Sequence, residues 1–103
     1  MSFDYGALDA ALAAAVGDDQ SLIQELRGAF LESAERQVDL LRRARCDANW
    51  HYAAWRLKGL AASFGATDVI NLAEEASKSA PGDPVILRKL EDAIATDKAE
   101  PGA

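Results

Sequence analysis

Apolar residues return at intervals of three and four along most of this chain, most regularly between Trp50 and Phe64. On a projection at about 100° per residue, Trp50, Ala53, Ala54, Leu57, Leu60, Ala61 and Phe64 all fall within roughly 60° of Leu57. A strand cannot use such a stripe, because its side chains alternate with period two. The same helical period runs through Leu22, Ile23, Leu26, Phe30, Ala34, Val38 and Leu41. Shorter versions occur in Leu8, Ala11, Leu12 and Ala15, in Val69, Leu72, Ala73 and Ala76, and in Ile86, Leu87, Leu90 and Ile94. No strand pattern competes. Four amphipathic helices joined by short turns must bury their stripes against one another, so the expected fold is all-α. Its expected architecture is an antiparallel up-and-down four-helix bundle, with a short additional N-terminal helix capping one end.

Punctuation residues set the expected boundaries. The first helix is predicted from Asp4 to Val16, ending at Gly17, and Asp18 or Asp19 caps a second that reaches Arg45. A turn over Asp47 to Asn49 precedes the third helix, which Gly65 stops after Phe64. Thr67 or Asp68 opens a fourth, closed by Ala80-Pro81-Gly82, and Asp83-Pro84 reads as an N-cap with proline at N1 of a fifth. At 103 residues the chain is expected to be one domain over 1–97, with 98–103 a flexible tail.

Charge and composition exclude several functions. A formal charge of −6 and many acidic residues argue against nucleic-acid or anionic-membrane partners, which require a basic field. Arg42, Arg43 and Arg45 form a local basic cluster, read as complementing the end of the second helix. The lone Cys46 has no pairing partner and no Cys or His at metal-ligand spacing, so neither a disulfide nor a metal is expected. With no basic n-region and an Ala-rich run broken by Asp9, neither a signal peptide nor a membrane span is expected, which implies a cytoplasmic protein. No glycine-rich phosphate loop occurs, and no cofactor is expected. Ser63 and Ser77 lack triad partners, while Glu74, Glu75 and the acidic pairs near Asp18 and Asp92 read as solvated faces and caps.

Trp55 breaks the pattern. It lies about 160° from Leu57 on the same projection, on the side shared by His51, Lys58, Gly59 and Ala62. A large aromatic beside two small residues, a histidine and a lysine on an outward face is expected to be a docking surface. Its bland alternative is a tryptophan folded back over neighbouring aliphatic stems.

The string Ala54-Trp55-Arg56-Leu57-Lys58-Gly59, followed after five residues by Gly65-Ala66 and then by Leu72-Ala73-Glu74-Glu75, resembles the signature of histidine-phosphotransfer (HPt) domains of bacterial phosphorelays. The family pattern reads roughly A-H-x-L-K-G, five residues, then G-A. Val16-Gly17-Asp18-Asp19 leading into a helix with Phe30-Leu31-Glu32 also looks like the family's opening, so the resemblance spans about residues 8 to 95.

It implies a helical bundle that meets a response-regulator receiver domain or a histidine kinase through this helix. In the family an exposed histidine takes a phosphoryl group from a receiver aspartate, and that position here is Trp55. The indole nitrogen's lone pair belongs to the ring system and its N–H only donates, so it cannot attack phosphorus. The resemblance casts Lys58 as the lysine beside the phosphoryl group and Gly59 as the small residue that leaves room for the partner. The expected function is therefore that of a pseudo-HPt regulator, a signalling and binding module rather than an enzyme.

Two alternatives remain open. His51, the sole histidine, precedes Trp55 by one turn and is a candidate displaced phosphoacceptor. Against it stand a shift of about 6 Å along the axis, Lys58 two turns away and the indole between them. The chain can also be read as a helical-bundle interaction module that uses the Trp55 face for another partner or for self-association, as a monomer or weak homodimer.

Overall fold

In a computed structural model of the protein, the described residues are 7–99 and they form five helices without a strand. These are α1 (Ala7–Val16), α2 (Gln20–Arg43), α3 (Asp47–Phe64), α4 (Thr67–Ser77) and α5 (Pro84–Ala99). α2 packs on α3 and α5, while α4 packs on the same two; α2/α4 and α3/α5 are the diagonal pairs, whose backbones stay further apart. α1 lies against α2, α3 and α4. The helices thus surround one apolar interior containing Phe30, Leu41, Trp50, Leu57, Val69, Ile86 and Leu90, all essentially inaccessible to water.

Local chemistry accounts for most boundaries. The Asp19 carboxylate accepts the Leu22 N–H at 3.1 Å, which caps α2 in place of a missing intrahelical bond. Asp83 does the same for α5, accepting from Val85 N–H at 2.9 Å, with Pro84 at the first helical position. α3 ends where Gly65 turns left-handed at φ 71°. A Cβ on Gly65 would stand 2.4 Å from the Cβ of Ala11, so the absence of a side chain here also lets α1 pack against the α3–α4 turn.

Gly65→Ala is accordingly expected to cost about 2 kcal/mol or more, the left-handed penalty being aggravated by displacement of α1. Gly59, mid-helix with open space where its Cβ would go, provides the opposite case. Gly59→Ala should gain about 0.5–1 kcal/mol from helix propensity. Paired urea titrations followed by circular dichroism check both signs; equal effects would refute the packing argument.

The structure corrects several boundaries and faces. α3 starts at Asp47, so the expected turn over Asp47 to Asn49 is instead its first turn; the connection is Ala44 to Cys46, and α2 stops at Arg43, short of Arg45. The expected stop missed this because the N-cap, Cys46, makes no side-chain cap bond. α4 ends at Ser77, before Ala80-Pro81-Gly82, where Ser77 and Ser79 hydroxyls donate to the carbonyls of Glu74 and Glu75 and compete with further turns. α5 continues through Lys98 and Ala99, with Lys98 Nζ 3.1 Å from Glu35 of α2, so the expected tail is helical to residue 99. Asp4, expected to begin the first helix, and residues 100–103 of the expected tail lie outside the described residues.

Two stripe positions turn outward. Leu22 is exposed while the adjacent Ile23 is buried, and Ala15 is exposed while Leu8, Leu12 and Val16 form the seam of α1. Conversely, Leu31 and Arg27 are buried. Arg27 Nε lies 3.1 Å from Asp9 of α1, and its Nη2 donates to the Asp97 carbonyl of α5, so a buried cation ties three helices together.

Candidate functional site

α3 sits between α2 and α4, which leaves one strip of its surface uncovered. Its buried side is Trp50, Ala53, Ala54, Leu57 and Ala61, matching the sequence stripe, with Leu60 and Phe64 half-buried at its edges. The Phe64 ring lies 5.2 Å from that of Phe30, which seats the C-terminal end of α3 on α2. Trp50 fixes the opposite end: its Nε1–H donates to the Ala76 carbonyl of α4 at 2.7 Å.

With the inward side held at both ends, Trp55 has no inward route, and its side chain is 69% exposed. His51, Gly59 and Ala62 are exposed on the same strip, so four of the five expected site residues share one open surface. Trp55 and His51, one turn apart, line a shallow recess with Asp47, Ala48 and Tyr52. Gly59 follows Trp55 by one turn and Ala62 by nearly two, and Gly59 has open space above it. The indole therefore projects from a helix wall kept low on its C-terminal side.

Lys58 differs from the others. It is half-buried at the α4 edge, where its Nζ donates to Glu74 Oε2 at 3.0 Å. The ammonium, together with Lys78, holds the Glu74 carboxyl below its ordinary value, chiefly through that hydrogen bond. Lys58 is thus anchored beside the strip as an oriented positive charge. Both side chains keep contact with water, so the pair's value lies in orientation more than stability.

Sequence reasoning missed one contributor. Tyr52 is 59% exposed at the border of the strip, with Arg56 stacked over its ring at 5.6 Å and donating to its hydroxyl at 3.4 Å. The signal was present in the spacing, since Tyr52 stands about 140° from Leu57 and so falls off the apolar stripe. Two arginines of the basic cluster at the end of α2 are paired with acids of this chain at the surface: Arg42 with Asp39 and Glu91, and Arg43 with Asp39.

Nothing among the described residues groups three or more His, Cys, Asp or Glu side chains as a metal would require. No described helix is long and apolar enough to cross a membrane. No family model, curated protein or solved structure matches the chain, so its function is to be read from the α3 strip itself.

Proposed function

We propose that this chain is an HPt-like regulator that docks a receiver or histidine-kinase domain through the α3 strip centred on Trp55, and that it carries no phosphoryl group there. The reading takes the helix arrangement as an antiparallel four-helix bundle of α2 to α5, with α1 covering one end. Short connections between consecutive, mutually packed helices support this arrangement. The observation that carries the proposal is the exposed indole at the position where the A-H-x-L-K-G pattern has its histidine. Beside it lie a low surface at Gly59 and Ala62 and a cation, Lys58, anchored by Glu74. Such partners place the protein in the cytoplasm.

An exposed tryptophan amid small residues is the kind of side chain that becomes a binding hot spot, contributing about 2 kcal/mol or more when a partner covers it. Titrating purified receiver and kinase domains from the same genome by calorimetry should find at least one that binds. Trp55→Ala should weaken that complex roughly 30-fold, the equivalent of 2 kcal/mol. Binding that ignores Trp55→Ala, or no binding to any of these domains, removes the proposal.

A second reading draws on the recess shared by His51 and Trp55, which leaves the imidazole open to solvent beside Asp47. Acid-labile label on His51 after incubation with a phosphorylated receiver would replace the inert-regulator reading with displaced phosphotransfer. A dimer that dissociates on dilution and is abolished by Trp55→Ala would instead favour self-association through the strip.

A further inference from the structure

Around α3 from Trp55, past Tyr52, the surface falls into a groove between α2 and α3 of about 320 Å³. That volume is at the small end of ligand pockets, roughly 300–1,000 Å³, and suits one large side chain with its flanking backbone. Leu40 and Ala44 of α2 face Tyr52 and Ala53 of α3 across it. Leu40 remains 47% exposed, although the adjacent Leu41 is fully buried. The groove is therefore an apolar floor that the fold itself leaves uncovered.

Its charge is the reverse of the protein's. The chain carries a formal −6, yet the ionic side chains lining this groove are Arg43 and Arg56, and no carboxylate lines it. Arg43 is held by Asp39 from outside the groove, while Arg56 has no ion-pair partner among the described residues and is held by the Tyr52 ring and hydroxyl. The crevice between α2 and α5 shows the contrast: there Arg42 and Lys98 are matched by Asp39, Glu91 and Glu35. An unmatched guanidinium held in place beside an apolar floor selects a negatively charged partner.

We propose that the α2–α3 groove is a docking site for an acidic peptide segment that inserts one large apolar side chain over Leu40 and Tyr52. Its carboxylates lie against Arg56 and Arg43. This site borders the Trp55 strip, sharing Tyr52 with it, but does not depend on the phosphorelay reading, because α2 forms half of it.

The probe is a displayed library of random dodecapeptides selected on the intact protein, with the leading sequence then synthesised and titrated by nuclear magnetic resonance. Enriched sequences should carry net negative charge and a Leu, Phe or Trp, and the peptide should shift the amide signals of Leu40, Ala44, Tyr52 and Ala53. Leu40→Asp and Arg56→Glu should each weaken it about tenfold or more, and Arg56→Gln by less, with Trp55→Ala neutral. Leu40 and Arg56 are exposed, so the variants should keep the parent's circular dichroism and unfolding midpoint. Failure to enrich, enrichment of neutral or basic sequences, shifts confined to the Trp55 strip, or occupancy by a second copy of the chain would each overturn the proposal.

Discussion

Replacing Trp50 by alanine is expected to lower the free energy of unfolding by roughly 3–5 kcal/mol, while Trp55→Ala changes it by less than about 0.5 kcal/mol. The two residues belong to one helix and are five positions apart, yet 1% of Trp50 and 69% of Trp55 is exposed. Truncating Trp50 removes the largest fully buried side chain and opens a cavity where α3 meets α4. It also removes the donor to the Ala76 carbonyl. That carbonyl still accepts from Ser79 N–H at 3.0 Å, so the loss is mostly one of packing. Trp50→Phe, which keeps a ring and drops the indole N–H, should therefore cost less than Trp50→Ala, about 1–2 kcal/mol. Against a total of about 5–15 kcal/mol for a domain, the alanine variant loses a large fraction of its stability. Urea unfolding followed by circular dichroism measures all three. A Trp55→Ala loss comparable to that of Trp50→Ala would mean that the indole at 55 is structural and would end the docking argument.

That contrast was legible in the sequence because it depends only on rotation about one helix axis. The spacing of Trp50, Ala53, Ala54, Leu57 and Ala61 fixes which way the helix faces, and the outward position of Trp55 follows by arithmetic. The caps at Gly65 and Asp83 were legible too, and that of α2 to one of two adjacent aspartates, because each acts within four residues of itself. What escaped depends on a second helix. Arg27 reads as a surface charge until α1 brings Asp9 to it and α5 presents the Asp97 carbonyl. Leu31 lies off the stripe of α2 and is buried. Leu22, about 80° from Phe30 at the edge of that stripe, is not, while the adjacent Ile23 is.

The candidate surfaces divide along the same line. His51, Trp55, Gly59 and Ala62 share an exposed strip as their spacing predicts, since a single helix supplies all four. Lys58 belongs to the same helix, but its state is set by Glu74, sixteen residues away on α4. The groove is less legible still. Leu40-Leu41 implies only that one leucine of the pair faces outward. That Leu40 does so opposite Tyr52, with Arg56 unmatched by any acid, comes from the juxtaposition of α2 and α3.

Under the proposed function, Trp55→His is expected to turn an inert surface into a phosphoryl acceptor. The wild-type indole offers phosphorus no lone pair, whereas a neutral imidazole offers a ring nitrogen. That nitrogen attacks phosphorus as the bond to the receiver's aspartate breaks; the aspartate leaves as a carboxylate, and the other ring nitrogen keeps its proton or releases it to solvent. The surroundings needed for this are already in place: an outward strip, open space above Gly59, and Lys58 one turn on with its ammonium fixed by Glu74. Because a docked receiver makes the step effectively intramolecular, label transfer should rise at least about a hundredfold above the wild-type background. The measurement is acid-labile radiolabel moving from a phosphorylated receiver to the Trp55→His protein, repeated in a His51→Gln background so that His51 contributes nothing. Label retained in that background places the acceptor at position 55 and shows a receiver-competent surface around it. An unlabelled variant that still binds the receiver would leave docking intact and refute the alignment of this strip with the HPt phosphoacceptor helix.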